Sequence, residues 1–245
     1  MQETFSFALG LGFLLGLKHA TEADHLMAVT TIVSEHRSVW RSALVGALWG
    51  AGHTASLLIA GVIVILLQIA IPQRIATMLE FAVALMIIFL GGRVLFALLR
   101  KRQRVHVHSH KHDGEAHTHL HFHNQTDAHQ IAPPNQSHDQ PHSTQIGWRP
   151  LIVGMIHGLA GSAALTLLIL TEVMRGGSMA LGFAYLLIFG IGSIGGMLLM
   201  SAVISVPFVL TATRFERVHL PIQIIAGIGS VLFGIYYAWE ILHEA

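Results

Sequence analysis

Six apolar stretches, at residues 4–33, 40–70, 75–100, 149–174, 178–206 and 220–242, limit what this chain can fold into. A helix needs about 20 apolar residues to cross the hydrocarbon core. Inside a bilayer each backbone amide must be satisfied within its own segment, which leaves α-helices for spans of this length. Composition agrees, since only 11% of the 245 residues are charged, against about 25% in a soluble domain. The expected fold is therefore all-α: a polytopic membrane protein of six helices. No basic n-region or small-residue cleavage site marks the N-terminus as a signal peptide, so the first helix is expected to stay in the membrane. There is no Cys, which excludes disulfides and Cys-ligated zinc. A net charge of +1 leaves no nucleic-acid footprint.

Cation placement gives an orientation. The loops after helices 1, 3 and 5 carry Arg37 and Arg41, then Arg100, Lys101, Arg102, Arg104, Lys111 and Arg149, then Arg214 and Arg217. The other two loops carry Arg74 and Arg175. Cytoplasmic loops collect Lys and Arg, so both termini are expected outside a plasma or inner membrane, with 101–148 in the cytoplasm.

The two ends of the chain echo each other. Gly16-Leu17-Lys18-His19-Ala20 answers Gly154-Met155-Ile156-His157-Gly158, Trp49-Gly50-Ala51-Gly52-His53 answers Phe189-Gly190-Ile191-Gly192-Ser193, and Phe89-Leu90-Gly91 answers Leu232-Phe233-Gly234. The order is kept at a spacing near 140 residues. Three helices per half would turn the second half over in the membrane. That is the inverted 3+3 repeat of secondary transporters, whose sites lie where the halves meet. The expected domains are 1–100, a His-rich loop over 101–148, and 149–245.

The first span is interrupted by Lys18-His19-Ala20-Thr21-Glu22-Ala23-Asp24-His25. Ionisable groups in a span cost roughly 2.5–3.5 kcal/mol each and are usually functional. Imidazole beside carboxylate suits divalent nickel, cobalt or zinc. The plain alternative is a polar network that only joins helices. On a regular helix His19, Glu22 and His25 share one stripe, while Asp24 points about 140° from His19. Either the helix breaks near 20–23, or Asp24 orients a His from behind. Lys18 and Glu22, four residues apart, are expected to neutralise each other. His53, framed by Gly50, Gly52 and Thr54, would be carried toward helix 1 by close packing, the alternative being a structural His bonding a backbone carbonyl. His157 is a ligand candidate or a structural His, and Arg93 has no evident partner.

Gly190-Ile-Gly192-Ser-Ile-Gly195 imitates a dinucleotide fingerprint, but that motif needs a preceding strand, so helix packing is the reading. No organic cofactor, and no enzymatic nucleophile–base pair, is expected. Between His106 and His142 stand eleven His among Pro, Asn, Gln and Ser. This loop is expected to be disordered and to bind metal, the alternative being a solvated pH-responsive linker.

His19-Ala-Thr-Glu-Ala-Asp24-His25 resembles the His-x-x-x-x-Asp-His signature of the nickel/cobalt transporter family, and Gly52-His53-Thr54 resembles its second segment. His157-Gly-Leu-Ala-Gly-Ser162 and Phe189-Gly-Ile-Gly-Ser193 look like its shorter, six-helix branch of urease-accessory nickel permeases. The resemblance implies transport of nickel(II) or cobalt(II) as substrate, with His19, Asp24 and His25 essential and His53 a ligand. The metal site is thus expected at His19, Glu22, Asp24, His25, His53 and His157. The lipid bilayer, a second copy of the chain, and a cytoplasmic metal chaperone or nickel-enzyme maturation factor are the partners such a permease invites. Uptake is the first reading. Efflux for metal resistance, and a metal sensor or chaperone working through the loop, are the alternatives.

Overall fold

The computed structural model describes residues 2–67, 72–102, 105–112, 115–122, 147–159 and 179–244. Its helices are α1 (Gln2–His19), α2 (Ala23–Val33), α3 (Val39–Leu67), α4 (Gln73–Arg102), α5 (Arg149–Gly158), α6 (Met179–Arg214) and α7 (Glu216–Glu244). Four carry segments long and apolar enough to cross a membrane: Val39–Ile63, Gln73–Arg100, Ala180–Arg214 and Arg217–His243. Large apolar side chains on them, including Met78, Phe89, Ile225 and Leu232, face outward, as a hydrocarbon solvent allows.

The first span is two helices rather than one. The α-helical ladder ends with a long 3.4 Å bond from Ala20 N–H to the Gly16 carbonyl, then tightens through Thr21 N–H to Lys18 O at 2.8 Å. The Thr21 hydroxyl donates to the same Lys18 carbonyl at 2.6 Å. Glu22 is extended, at φ −64° and ψ 149°, and serves as the N-cap of α2. With 18 residues α1 is about 27 Å long, and the 11 residues of α2 add about 16 Å. Neither alone matches a core of roughly 30 Å, and together they exceed it.

The connection expected over 207–219 is instead helical on both sides of Phe215. Helix α6 runs through Pro207 to Arg214, and Pro221 lies inside α7. Membrane helices tolerate proline when hydroxyls re-satisfy the freed carbonyls. Pro207 lacks the N–H that would bond the Val203 carbonyl, and one turn later the Thr211 hydroxyl donates toward the Pro207 and Phe208 carbonyls at 2.7 and 3.1 Å. The second half of the fourth expected span, and the connection Arg175-Gly176-Gly177, lie outside the described residues.

The loop is not structureless throughout, contrary to expectation. Strands β1 (Val105–His112) and β2 (Glu115–Phe122) pair antiparallel, with Val105 opposite Phe122 and His112 opposite Glu115. The His-x-His-x alternation is a period-two pattern that a strand accommodates and a helix does not. The remaining loop His, from His123 onward, lie outside the described residues.

Glycines set the helix packing. A Cβ at Gly154 would overlap the Trp49 carbonyl oxygen, one at Gly52 the Leu151 carbonyl, one at Gly16 the Phe189 carbonyl, and one at Gly192 the Phe13 carbonyl. So α5 lies backbone to backbone on α3, and α1 on α6. Helices α4 and α7 approach in the same way, Gly91 meeting the Gly227 carbonyl and Gly234 the Ala84 carbonyl. Trp49, Met197, Val33 and Phe208 fill the centre. The loop after α2 is held from two sides: Gln223 Nε2 donates to the Ser34 carbonyl at 2.6 Å, and Arg93 finds its partner in Glu35 at 3.0 Å. The Arg93–Glu35 pair is exposed on both sides, so it contributes no more than about 1 kcal/mol. Beside it, burial pushes the His36 imidazole below its ordinary pKa, opposed by the Glu35 carboxylate.

Candidate metal centre

The helix break at 20–22 brings together what a continuous helix would hold apart. His19 is the last residue of α1, and Asp24 and His25 stand in the first turn of α2. That turn has unpaired backbone donors, and Asp24 Oδ1 accepts the His25 N–H at 2.8 Å. Its negative charge also sits favourably at a helix N-terminus. Helix α3 adds His53, and the glycine contact between α3 and α5 delivers His157. All four imidazoles are buried, His25 and His53 completely.

Ring centroids are 4.4 Å apart for His19 and His25, 4.3 Å for His25 and His157, and 5.0 Å from His53 to both His19 and His25. Trp49 lies against His25 and His157 at 5.4 and 5.3 Å, and Phe189 against His19 at 5.5 Å. The cluster is therefore walled by aromatic faces that keep water away. Neither wall stands out in the sequence, where Trp49 and Phe189 read only as marks of the repeat.

Hydrogen bonding assigns the protons. An ionised carboxylate only accepts, so a ring nitrogen facing it carries the hydrogen. Glu22 Oε2 lies 3.0 Å from His19 Nδ1, so His19 Nε2 holds a lone pair. His53 Nε2, 2.9 Å from His19 Nε2, must then be the donor. Asp24 accepts twice, from His25 Nδ1 at 2.9 Å and from His157 Nε2 at 3.0 Å. His25 Nε2, His53 Nδ1 and His157 Nδ1 are consequently lone-pair nitrogens, each buried and unpartnered. Buried acceptors without partners are costly. Glu22 thus turns to His19 rather than Lys18, because the i,i+4 geometry needed for that pair is lost at the break.

Two donor groups meet the spacing of a metal site: His19, His25 and His53, and Asp24, His25 and His157, each with its ligand atoms within 4.8 Å of one another. All six residues singled out from sequence meet here, with Glu22 at the exposed rim, its side chain 41% accessible.

Fold and cluster define a class: a helical membrane protein with buried imidazoles and a carboxylate gathered at a broken helix. Over 236 residues the chain is 37% identical to "Urease accessory protein UreH" of Bacillus sp. (strain TB-90), covering 95% of this chain and 91% of that protein. The chain belongs to the family of that urease accessory protein. It is also 28% identical over 191 residues to "Chloroplast protein FOR GROWTH AND FERTILITY 1" of Arabidopsis thaliana, spanning 76% of this chain and 46% of that one. Residues 117–236 match the family described as "Cytochrome C biogenesis protein transmembrane region". No solved structure matches the chain.

Proposed function

We propose that the protein is a permease for divalent nickel, and for cobalt by similar chemistry, carrying the ion into the cytoplasm through the cluster of His19, His25, His53 and Asp24. The observation that carries this reading is the group of four buried imidazoles and a carboxylate at a helix break in a membrane fold, with donor atoms of two residue triads within 4.8 Å of one another. Borderline divalent ions prefer imidazole nitrogen, and broken helices are where transporters bind their ions. Kinship to a urease accessory protein supports nickel in particular, as does the resemblance to urease-accessory nickel permeases. Urease maturation factors are then the natural recipients.

An inverted 3+3 architecture underlies this reading. The glycine contacts supporting it come in exchanged pairs. Gly16 on the Phe189 carbonyl becomes Gly154 on the Trp49 carbonyl when each residue is replaced by its counterpart in the other half. Gly192 on Phe13 likewise becomes Gly52 on Leu151, and Gly91 on Gly227 becomes Gly234 on Ala84. A two-fold relation between halves would generate such pairs, and they support it. In this frame α1 and α2 form one bent crossing, both termini face outside, and the loop lies in the cytoplasm. At an inside-negative potential of 100 mV a divalent ion gains about 4.6 kcal/mol on entering, so uptake requires no nucleotide.

Protons compete for the same lone pairs. Transport is expected to weaken on acidification, because only the neutral ring binds metal. Initial rates measured as the pH is lowered test this, and rates that rise on acidification would argue against His ligation. Deleting 106–142 is expected to leave much of the flux. Loss of all function on that deletion would instead favour a sensor working through the loop. A metal-sensitive deletion strain would favour efflux, and loss of a nickel enzyme's activity favours uptake.

A further inference from the structure

The two donor groups have one side chain in common. We propose, resting on the permease reading, that His25 is the pivot of a hand-off in which one ion occupies two successive stations. The first station is His19, His25 and His53, and the second is Asp24, His25 and His157. A neutral imidazole has a single lone pair, so His25 can serve only one station at a time. Opposite donors on one ion, with bonds of about 2.1 Å, lie at most roughly 4.2 Å apart. Spacings of up to 4.8 Å within each group therefore need only a slight contraction.

The proton positions separate the stations. In the first, His19 Nε2 and His25 Nε2 already present lone pairs, and His53 needs only to move its proton from Nε2 to the unpartnered Nδ1. In the second, the nitrogens facing Asp24 still carry hydrogen. Binding there requires His25 to exchange its proton from Nδ1 to Nε2 and His157 from Nε2 to Nδ1, both destinations being unpartnered. Each ring keeps one proton, so none is gained or lost. The first station belongs wholly to residues 19–53, whereas the second takes His157 from α5, in the other half of the chain. A shift of one half against the other breaks and remakes only the second station. His157 is thus a transport ligand that the resting affinity does not need.

The test compares full-length proteins loaded with nickel(II) alone. Ion bound by the loop cancels against His25→Ala, which lacks both stations. Wild type is expected to hold one more ion per chain than His25→Ala, with imidazole ligation in the X-ray absorption difference spectrum. His157→Gln and Asp24→Asn are each expected to retain that ion while their flux in proteoliposomes falls to that of empty vesicles. Retention of the ion also shows that these variants fold. His53→Ala should weaken binding by more than roughly 100-fold, since outer partners alone are worth about 10–100-fold. A second extra ion per chain would overturn the hand-off in favour of a dinuclear site. So would loss of the ion from both His157→Gln and Asp24→Asn, which would mean a single shared site. Wild-type flux in His157→Gln would overturn the hand-off and leave the permease intact. A wild type that binds no more nickel than His25→Ala would overturn the permease reading, and the hand-off with it.

Discussion

Nickel flux into proteoliposomes under an inside-negative potential is expected to saturate for the wild-type protein and to vanish for His19→Ala. His19 offers a lone pair to His53 at 2.9 Å and is fixed from behind by Glu22 at 3.0 Å. Removing its ring takes away one of three imidazoles in the station that needs the fewest proton shifts to bind. It also leaves His53 Nε2 a buried donor facing a void. Both effects act at the ion's own position, so the expected loss exceeds the roughly 10–100-fold attached to outer-sphere partners. Glu22→Gln provides the graded comparison. The amide can still accept from His19 Nδ1 but has no charge, so a flux within that range, rather than none, is expected. Undiminished saturable flux in His19→Ala would remove the cluster from the transport path.

Much of this could be read from sequence because hydropathy is a local property. The spans over 40–70 and 75–100 became α3 and α4 within a few residues at each described end. The break in the first span was half legible: helical angles showed that Asp24 could not share a stripe with His19, but not which remedy applied. The structure combines both, since the helix breaks and Asp24 also orients His25 and His157. Local rules failed where tertiary contacts overrode them. Lys18 and Glu22 have the spacing of an ion pair, but the turn at Thr21 takes Glu22 to His19 instead. The fifth span was expected to end at 206, yet α6 continues through Pro207 to Arg214, since a membrane helix tolerates the single bond a proline removes. Composition suggested disorder for 106–142, yet within the described residues the alternating His of 105–112 and 115–122 pair as β1 and β2. Arg93 and Glu35 are 58 residues apart, and no local pattern announces such a pair. The arrival of His157 depends on the α3–α5 approach, which Gly52, Gly154 and Gly158 permit.

Of these, Gly154 yields a change of sign. In a helix Ala is favoured over Gly by about 1 kcal/mol, so glycines in open positions should tolerate or welcome the substitution. A methyl at Gly195 would meet nothing within 4 Å, and Gly195→Ala is expected to stabilise the protein slightly. Gly154→Ala places the same methyl on the Trp49 carbonyl oxygen and beside its indole. Backbone cannot rotate aside as a side chain can, so α5 must withdraw from α3. Overpacking of this kind costs typically about 1–3 kcal/mol, and a clash with rigid main chain belongs at the upper end. Withdrawal also draws His157 away from Asp24, now 3.0 Å distant. Gly154→Ala should therefore lower the melting temperature in detergent and reduce nickel flux together. Gly16, whose methyl would strike the Phe189 carbonyl, should respond in the same direction if the two halves are equivalent. Equal stability of Gly154→Ala and Gly195→Ala would mean that α5 is not held against α3 at that contact, and the route by which His157 reaches the cluster would be lost with it.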